Sequence, residues 1–158
     1  MASHVVLNKI TGEILQSVIY HDINCIDNTE TGLENILNGH EIPEKERDNY
    51  IGFIIDQELI TGEARIVLKY ENGKLEEKKH VNLMLLNETP TSKEFKLVFT
   101  ENDELKEVNE FPIILTVDDE DYILNESVIK LESPISVSFE VSIIRDKNYY
   151  MFPTIIEI

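Results

Sequence analysis

A single cysteine, Cys25, stands in this chain of 158 residues, and that scarcity excludes an internal disulfide. No CxxC pair can form, so a cysteine zinc cluster and a dithiol redox motif are excluded as well. Cys25 reads as an ordinary thiol in or near a packed region. Tryptophan is absent, which removes the Cys and Trp pattern of antibody domains. The six glycines never fall into GxGxxG or a Walker sequence, so no phosphate-cradling loop is present. Basic residues are scarce too: 14 Lys and Arg face 31 Asp and Glu, for a net charge of −17. A phosphate backbone or an anionic membrane surface needs a Lys/Arg patch that can release counterions. Neither nucleic acid nor a membrane is therefore expected as a partner. Apolar runs extend for only a few residues, far short of the roughly 20 that cross a bilayer. The N-terminal "MASHVVLNKITGE" reaches a polar turn before any secretory or transit pattern can form, which makes a cytoplasm the expected place of folding.

Strand signals are what the chain does have. "HVVLN", "EILQSVIY", "YIGFII", "ARIVLKY", "KHVNLMLL", "KEFKLVFT", "FPIILTV", "SVIKL", "ISVSFEVSII" and "TIIEI" are short, rich in Val, Ile, Phe and Tyr, and bounded by turn residues, which predicts about ten strands. Alternation is clearest from Ile135 through Val137, Phe139 and Val141 to Ile143, with Ser136, Ser138, Glu140 and Ser142 on the other face. Thr11-Gly12 and Asn72-Gly73 read as compact hairpin turns. "ENGKLEEKKHV" then predicts a hairpin whose second strand starts as a charged edge and becomes apolar at Val81 to Leu86.

One helix is expected, within "DNTETGLENILNGHEI". Asp27 or Asn28 would cap it, Leu33, Ile36 and Leu37 would share a face, and Gly39 would stop it; Gly32 weakens it, so one or two turns at most are expected, with a compact loop as the alternative. The character changes again at "DQELITGEAR". The expected boundary lies near residues 57 to 62, giving a small β docking or spacer module over 1–58 and an immunoglobulin-like β-sandwich over 61–158. The fold class is predominantly all-β.

Chemistry-bearing constellations are sparse. The run Asp118-Asp119-Glu120-Asp121 could chelate calcium through clustered carboxylates, or form a solvated turn between two strands. His4, His21, His40 and His80 make no HxH, HxxxH or HExxH pattern, and no nucleophile elbow accompanies any serine. No enzymatic activity, metal or cofactor is expected. The aromatic group Tyr149, Tyr150 and Phe152, with Met151 between, reads either as the packing of a final strand or as a partner-binding surface, since aromatics give large contact area at low entropic cost.

The segment from Asn8 to Ile51 resembles a short module of tail-fibre and other virion proteins of tailed bacteriophages. The matching pieces are Thr11-Gly12-Glu13-Ile14-Leu15, then Gly32-Leu33-Glu34-Asn35-Ile36-Leu37-Asn38-Gly39, then Asn49-Tyr50-Ile51. The segment departs from the family by inserting "HEIPEKERD" before the closing aromatic. The resemblance implies a virion structural protein of the tail, tail fibre or baseplate, assembled in the host cytoplasm, with other virion proteins and copies of itself as partners. Tyr50, Tyr149, Tyr150, Met151 and Phe152 are the candidate partner-binding residues. A soluble module binding glycans or host protein is the alternative, followed by a capsid decoration protein and an acidic mimic of DNA.

Overall fold

The computed structural model describes residues 2–20 and 29–158. Cys25, His21 and the expected caps Asp27 and Asn28 lie outside the described residues. Strand makes up 56% and helix 16%, so the expectation of a mostly β protein holds. Two compact units are present, residues 1–77 and 78–158, with the division later than the expected 57–62.

The first unit is built on a three-stranded sheet. β1 (Ala2–Asn8) is central, between β2 (Ile14–Tyr20) and β3 (Tyr50–Ile55), both antiparallel to it. The turn from β1 to β2 is the expected one: Gly12 has φ +76°, its amide donates to the Asn8 carbonyl at 2.7 Å, and the Asn8 side chain accepts from Ile10 N at 2.9 Å. α1 (Thr29–Gly39) packs Ile36 and Leu37 against Val6 of β1. Its 11 residues make about three turns at 3.6 residues per turn, longer than the one or two expected. The left-handed residue that ends it is Glu41, φ +55°, not Gly39, with Ile42 N returning to Leu37 O at 3.0 Å. A 3₁₀ turn (Glu44–Asn49) leads into β3.

The segment "ARIVLKY", expected as a strand, starts as a helix. α2 (Thr61–Val67) buries Ala64 and Val67, and the Glu63 carboxylate accepts from Ile60 N at 3.3 Å. A Glu at the third helical position reaching back to the residue before the helix is a start signal, and it outweighs the β preference of Ile66 and Val67. β4 (Leu68–Glu71) then turns through Asn72 and Gly73, both at positive φ, into β5 (Lys74–Glu77). That hairpin is as expected, but its second strand ends at Glu77, and the apolar run after it belongs to the second unit. The boundary shifts because residues 57–65 are fastened to the first sheet. Leu59 N donates to Ser3 Oγ at 3.0 Å, Ser17 Oγ donates to Leu59 O at 2.6 Å, and Arg65 donates to the carbonyls of Ile14 and Leu15.

The second unit is an eight-stranded mixed sheet of β6 (Lys79–Thr89), β7 (Ser92–Glu101), β8 (Glu104–Glu107), β9 (Ile113–Val117), β10 (Glu120–Leu124), β11 (Val128–Glu132), β12 (Ser138–Ile143) and β13 (Tyr149–Glu157). The order is β10-β9-β12-β13-β6-β7-β11, with β8 on β7. Every pairing is antiparallel except β13 with β6. One core draws from both halves of this order: Val81, Phe95, Leu97, Phe99 and Ile129 meet Ile113, Leu115, Val141, Ile143 and Met151. The sheet curls, so that β9 and β10 at one end and β11 at the other line a common apolar pocket of about 410 Å³, but it closes into no barrel. β12 begins at Ser138, later than expected. Ile135 is 69% exposed outside it, whereas Ser142 is buried. A register shift between Val141 and Ile143 interrupts the alternation there, so the expected serine-out face does not run the full length.

Of the thirteen strands among the described residues, β8 was not expected from the sequence, whereas β5 is the charged start of the expected hairpin strand and β10 is the strand expected after the acidic turn. "ELKE" is mostly charged, and charged short segments carry little strand signal although they suit sheet edges. The turn before β8 uses Asn102 and Asp103, both at positive φ, as Asn and Asp tolerate that conformation best after glycine.

His4 sets the geometry of the first unit. It is 1% exposed and shares a sheet face with Val6 and, across the strand pair, with Gly52. A Cβ on Gly52 would stand 2.3 Å from His4 Nε2, and one on Gly32 of α1 would stand 3.1 Å from Nδ1. The two glycines make the slot for the imidazole, which explains a glycine inside a helix and another inside a strand, each normally unfavourable. Gly52→Ala is expected to lower stability by about 1–3 kcal/mol, typical of overpacking, and to cost much less in a His4→Ala background. Equilibrium denaturation of the four members of the cycle checks this, and additive losses would place the strain elsewhere.

Candidate functional site

Of the residues expected to bind partners, most lie inside. Tyr149 is fully buried, and Tyr150 and Met151 nearly so. Tyr50 is half-buried against the cluster of Val6, Ile36 and Leu37. Phe152, at 39% exposure, is the one with a substantial free surface. Aromatic side chains give the largest apolar burial per residue, and the start of β13 is where the two halves of the second sheet join. Tyr149 and Tyr150 pair there with Lys79 and His80.

The join is built from polar groups as well. The Asp146 carboxylate, 5% exposed, accepts from Ile114 N at 3.0 Å, Asn148 N at 2.9 Å and Tyr149 N at 3.1 Å. The buried Lys78 ammonium donates to the Asp146 carbonyl at 2.7 Å. Tyr149 packs on Phe99 with ring centroids 5.9 Å apart, under the Lys79 ammonium 4.8 Å from the Phe99 ring. Burial pushes the Tyr149 hydroxyl above its ordinary pKa. His80 stacks on Tyr150 at 4.9 Å, and Tyr150 meets Phe152 edge-on at 5.8 Å. Nothing in the sequence reading singled out Asp146. The signal available was a lone Asp two and three residues ahead of the amides that it binds, a local turn pattern common to Asp.

Beyond those two paired residues, β6 and β13 separate. Two clefts of about 360 Å³ and about 370 Å³ lie along the gap. Leu83, Phe95, Met151 and Ile156 line the first, and Leu85, Phe95, Ile155 and Ile156 the second. Polar atoms at the rim come from His80, Asn82, Thr154, Lys93 and Glu157. Met84, Leu85 and Leu86 are 37%, 49% and 43% exposed, and Ile155 is 58% exposed. Because consecutive strand residues point to opposite faces, three adjacent exposed apolar residues mean that β6 is uncovered on both faces.

The other polar clusters are occupied by contacts within the chain. In the acidic run, Asp118 and Asp119 adopt positive φ as a tight turn. Asp118 Oδ1 accepts from Glu140 N at 2.9 Å, and Asp121 accepts from Thr116 at 2.7 Å and from Arg145 at 2.6 Å. Among the described residues no three His, Cys, Asp or Glu side chains come together as a metal site would need. His40 meets Gln16 Oε1 at 2.8 Å in a groove of about 400 Å³ between β2 and α1. No helix among the described residues is long and apolar enough to cross a membrane.

The pieces of the opening segment that resemble phage modules fold together. Thr11 to Leu15 is the first turn and the start of β2, Gly32 to Gly39 is most of α1, and Tyr50-Ile51 opens β3. Comparison with known protein families, curated proteins and solved structures finds no match.

Two predictions test these assignments. Asp146→Ala strands three backbone amides, one of them the buried Tyr149 amide, and is expected to lower stability by about 2–4 kcal/mol, whereas Asp119→Ala at the exposed turn stays within about 0.5 kcal/mol; urea titration distinguishes them. His4 supplies the second. Among the described residues neither of its ring nitrogens has a hydrogen-bond partner, and burial holds its pKa below the ordinary imidazole value. The unfolded chain therefore takes up the proton first as pH falls below about 6.5, and folding is progressively destabilised until the lower folded pKa is passed. Melting of the first unit between about pH 7 and 5 should show this loss, and His4→Leu should remove it from that window.

Proposed function

We propose that this protein is a structural component of a tailed-bacteriophage particle, of the tail, tail fibre or baseplate, assembled in the host cytoplasm and working through contacts with other particle proteins and with copies of itself. Its role is non-catalytic. The first unit serves as a docking or spacing element, and the second is an immunoglobulin-like sandwich, with β6, β7, β8 and β11 as one layer and β9, β10, β12 and β13 as the other. The single core shared by both halves of the strand order supports that layering.

The observation that carries the assembly role is the splayed pair β6 and β13, where Met84, Leu85, Leu86, Phe152 and Ile155 present apolar side chains to solvent on a chain of net charge −17. Interface cores favour aromatic, Met and aliphatic side chains and exclude charge. The resemblance of residues 8–51 supplies the phage context. The partner-binding residues move accordingly, from Tyr149, Tyr150 and Met151 to the exposed side chains around the cleft, with Phe152 common to both sets.

Gradient-purified particles from a phage that encodes this chain provide the test. Mass spectrometry is expected to find it at a fixed stoichiometry to the tail proteins. Its presence only in the soluble lysate, with particles complete without it, would overturn the reading.

A further inference from the structure

We infer that the open edge of β6, from Val81 to Asn87, is the seam between two copies of this chain, paired antiparallel about a two-fold axis. The inference rests on the assembly reading and names the surface and the partner. Its ground is a contrast with the other edges of the second unit's sheet and with the outer edge of β2 in the first. In the first unit, the outer edge of β2 is covered: Ser17 N donates to Thr61 Oγ1 at 3.1 Å, and Arg65 takes the carbonyls of Ile14 and Leu15. In the second unit, β8 carries Glu104, Lys106 and Glu107, β10 carries Glu120 and Asp121, and β11 carries Lys130 and Glu132. Charges of this kind keep exposed edges from pairing with other chains. On β13, Pro153 lacks the amide that a partner strand would need.

β6 has none of these protections. Among the described residues its pairing with β13 ends at His80, while β7 holds its other side to Thr89. From Val81 to Asn87 it has no charge and no proline, and while Val81 is buried in the core, Met84, Leu85 and Leu86 are exposed on both faces. A second copy is the occupant that fits. Two chains of charge −17 repel wherever acidic surfaces approach, and this is a stretch where each presents none. The stretch can also pair with itself: a two-fold keeps each residue on its own face, so antiparallel pairing centred on Met84 sets Met84 of one copy opposite Met84 of the other, Leu83 opposite Leu85, Asn82 opposite Leu86 and Val81 opposite Asn87. Apolar side chains meet apolar side chains at the centre and no like charges are opposed, as an isologous interface requires. The register shift between Leu85 and Asn87 lies at one end of that stretch.

Sedimentation of the purified full-length chain across a range of salt concentrations tests the proposal. The expected result is a dimer whose association strengthens with salt, as screening relieves the mutual repulsion. Leu85→Lys should weaken association about tenfold or more, since it places a charge within the seam, while leaving the circular dichroism unchanged. That substitution also lowers the net negative charge, so general repulsion cannot account for the loss. Ile123→Lys, on the exposed β10 edge, should leave association intact. A monomer at every salt concentration, or a dimer indifferent to Leu85→Lys, overturns the inference; in either case a chain still found in particles leaves the virion reading standing. A dimer lost on Leu85→Lys, in a chain absent from particles, upholds the seam and overturns the virion reading instead.

Discussion

The second unit depends on a parallel contact only two residues long, Lys79 and His80 against Tyr149 and Tyr150. Among the described residues it is the one strand pairing between the two halves of the eight-stranded order, so the shared core and the curl of the sheet follow from where it is fixed. Two backbone pairs are too few to hold it alone. The Asp146 carboxylate collects three amides around the start of β13, and Lys78 draws the same loop toward the start of β6. Both groups are buried, and buried charged groups are tolerated when hydrogen bonds satisfy them. The rings of Tyr149, Phe99, Tyr150 and His80 then pack around the join.

The same arrangement produces the open surface. Once β6 and β13 are pinned at one end and packed on different neighbours, β7 and β12, they diverge, and each shows an unpaired edge. The apolar residues that a continuous sheet would cover are left facing a cleft. Exposed apolar surface of this kind usually marks a place of contact with another molecule. In the first unit the reverse has happened at β2, whose outer edge is covered by α2 and its Thr61 and Arg65 side chains.

His4 in the first unit is a different kind of constraint. Its buried ring requires Gly32 and Gly52 as walls, so two positions that looked like weaknesses, one in a helix and one in a strand, are the space the imidazole occupies. Sequence patterning treats such glycines as breakers because it has no access to what lies across from them. The ring also makes this unit acid-sensitive in a way that surface histidines do not, since it is the loss of hydration that disfavours its charged form.

The sequence by itself determined the strand-rich class, the hairpins at Thr11-Gly12 and Asn72-Gly73, the presence of α1 and the excess of acid, because alternation, positive-φ turn residues and charge are local properties. It misread "ARIVLKY", where Glu63 closing back on Ile60 starts a helix in a segment whose composition favours a strand. It also missed the charged strand β8, which exists because β7 supplies its hydrogen bonds. Tertiary structure alone decided that Tyr149, Tyr150 and Met151 face inward while Met84, Leu85 and Leu86 face out. The exposed group is the more apolar of the two in the sequence, and which of them is covered depends on how far β6 and β13 run together before their other neighbours pull them apart.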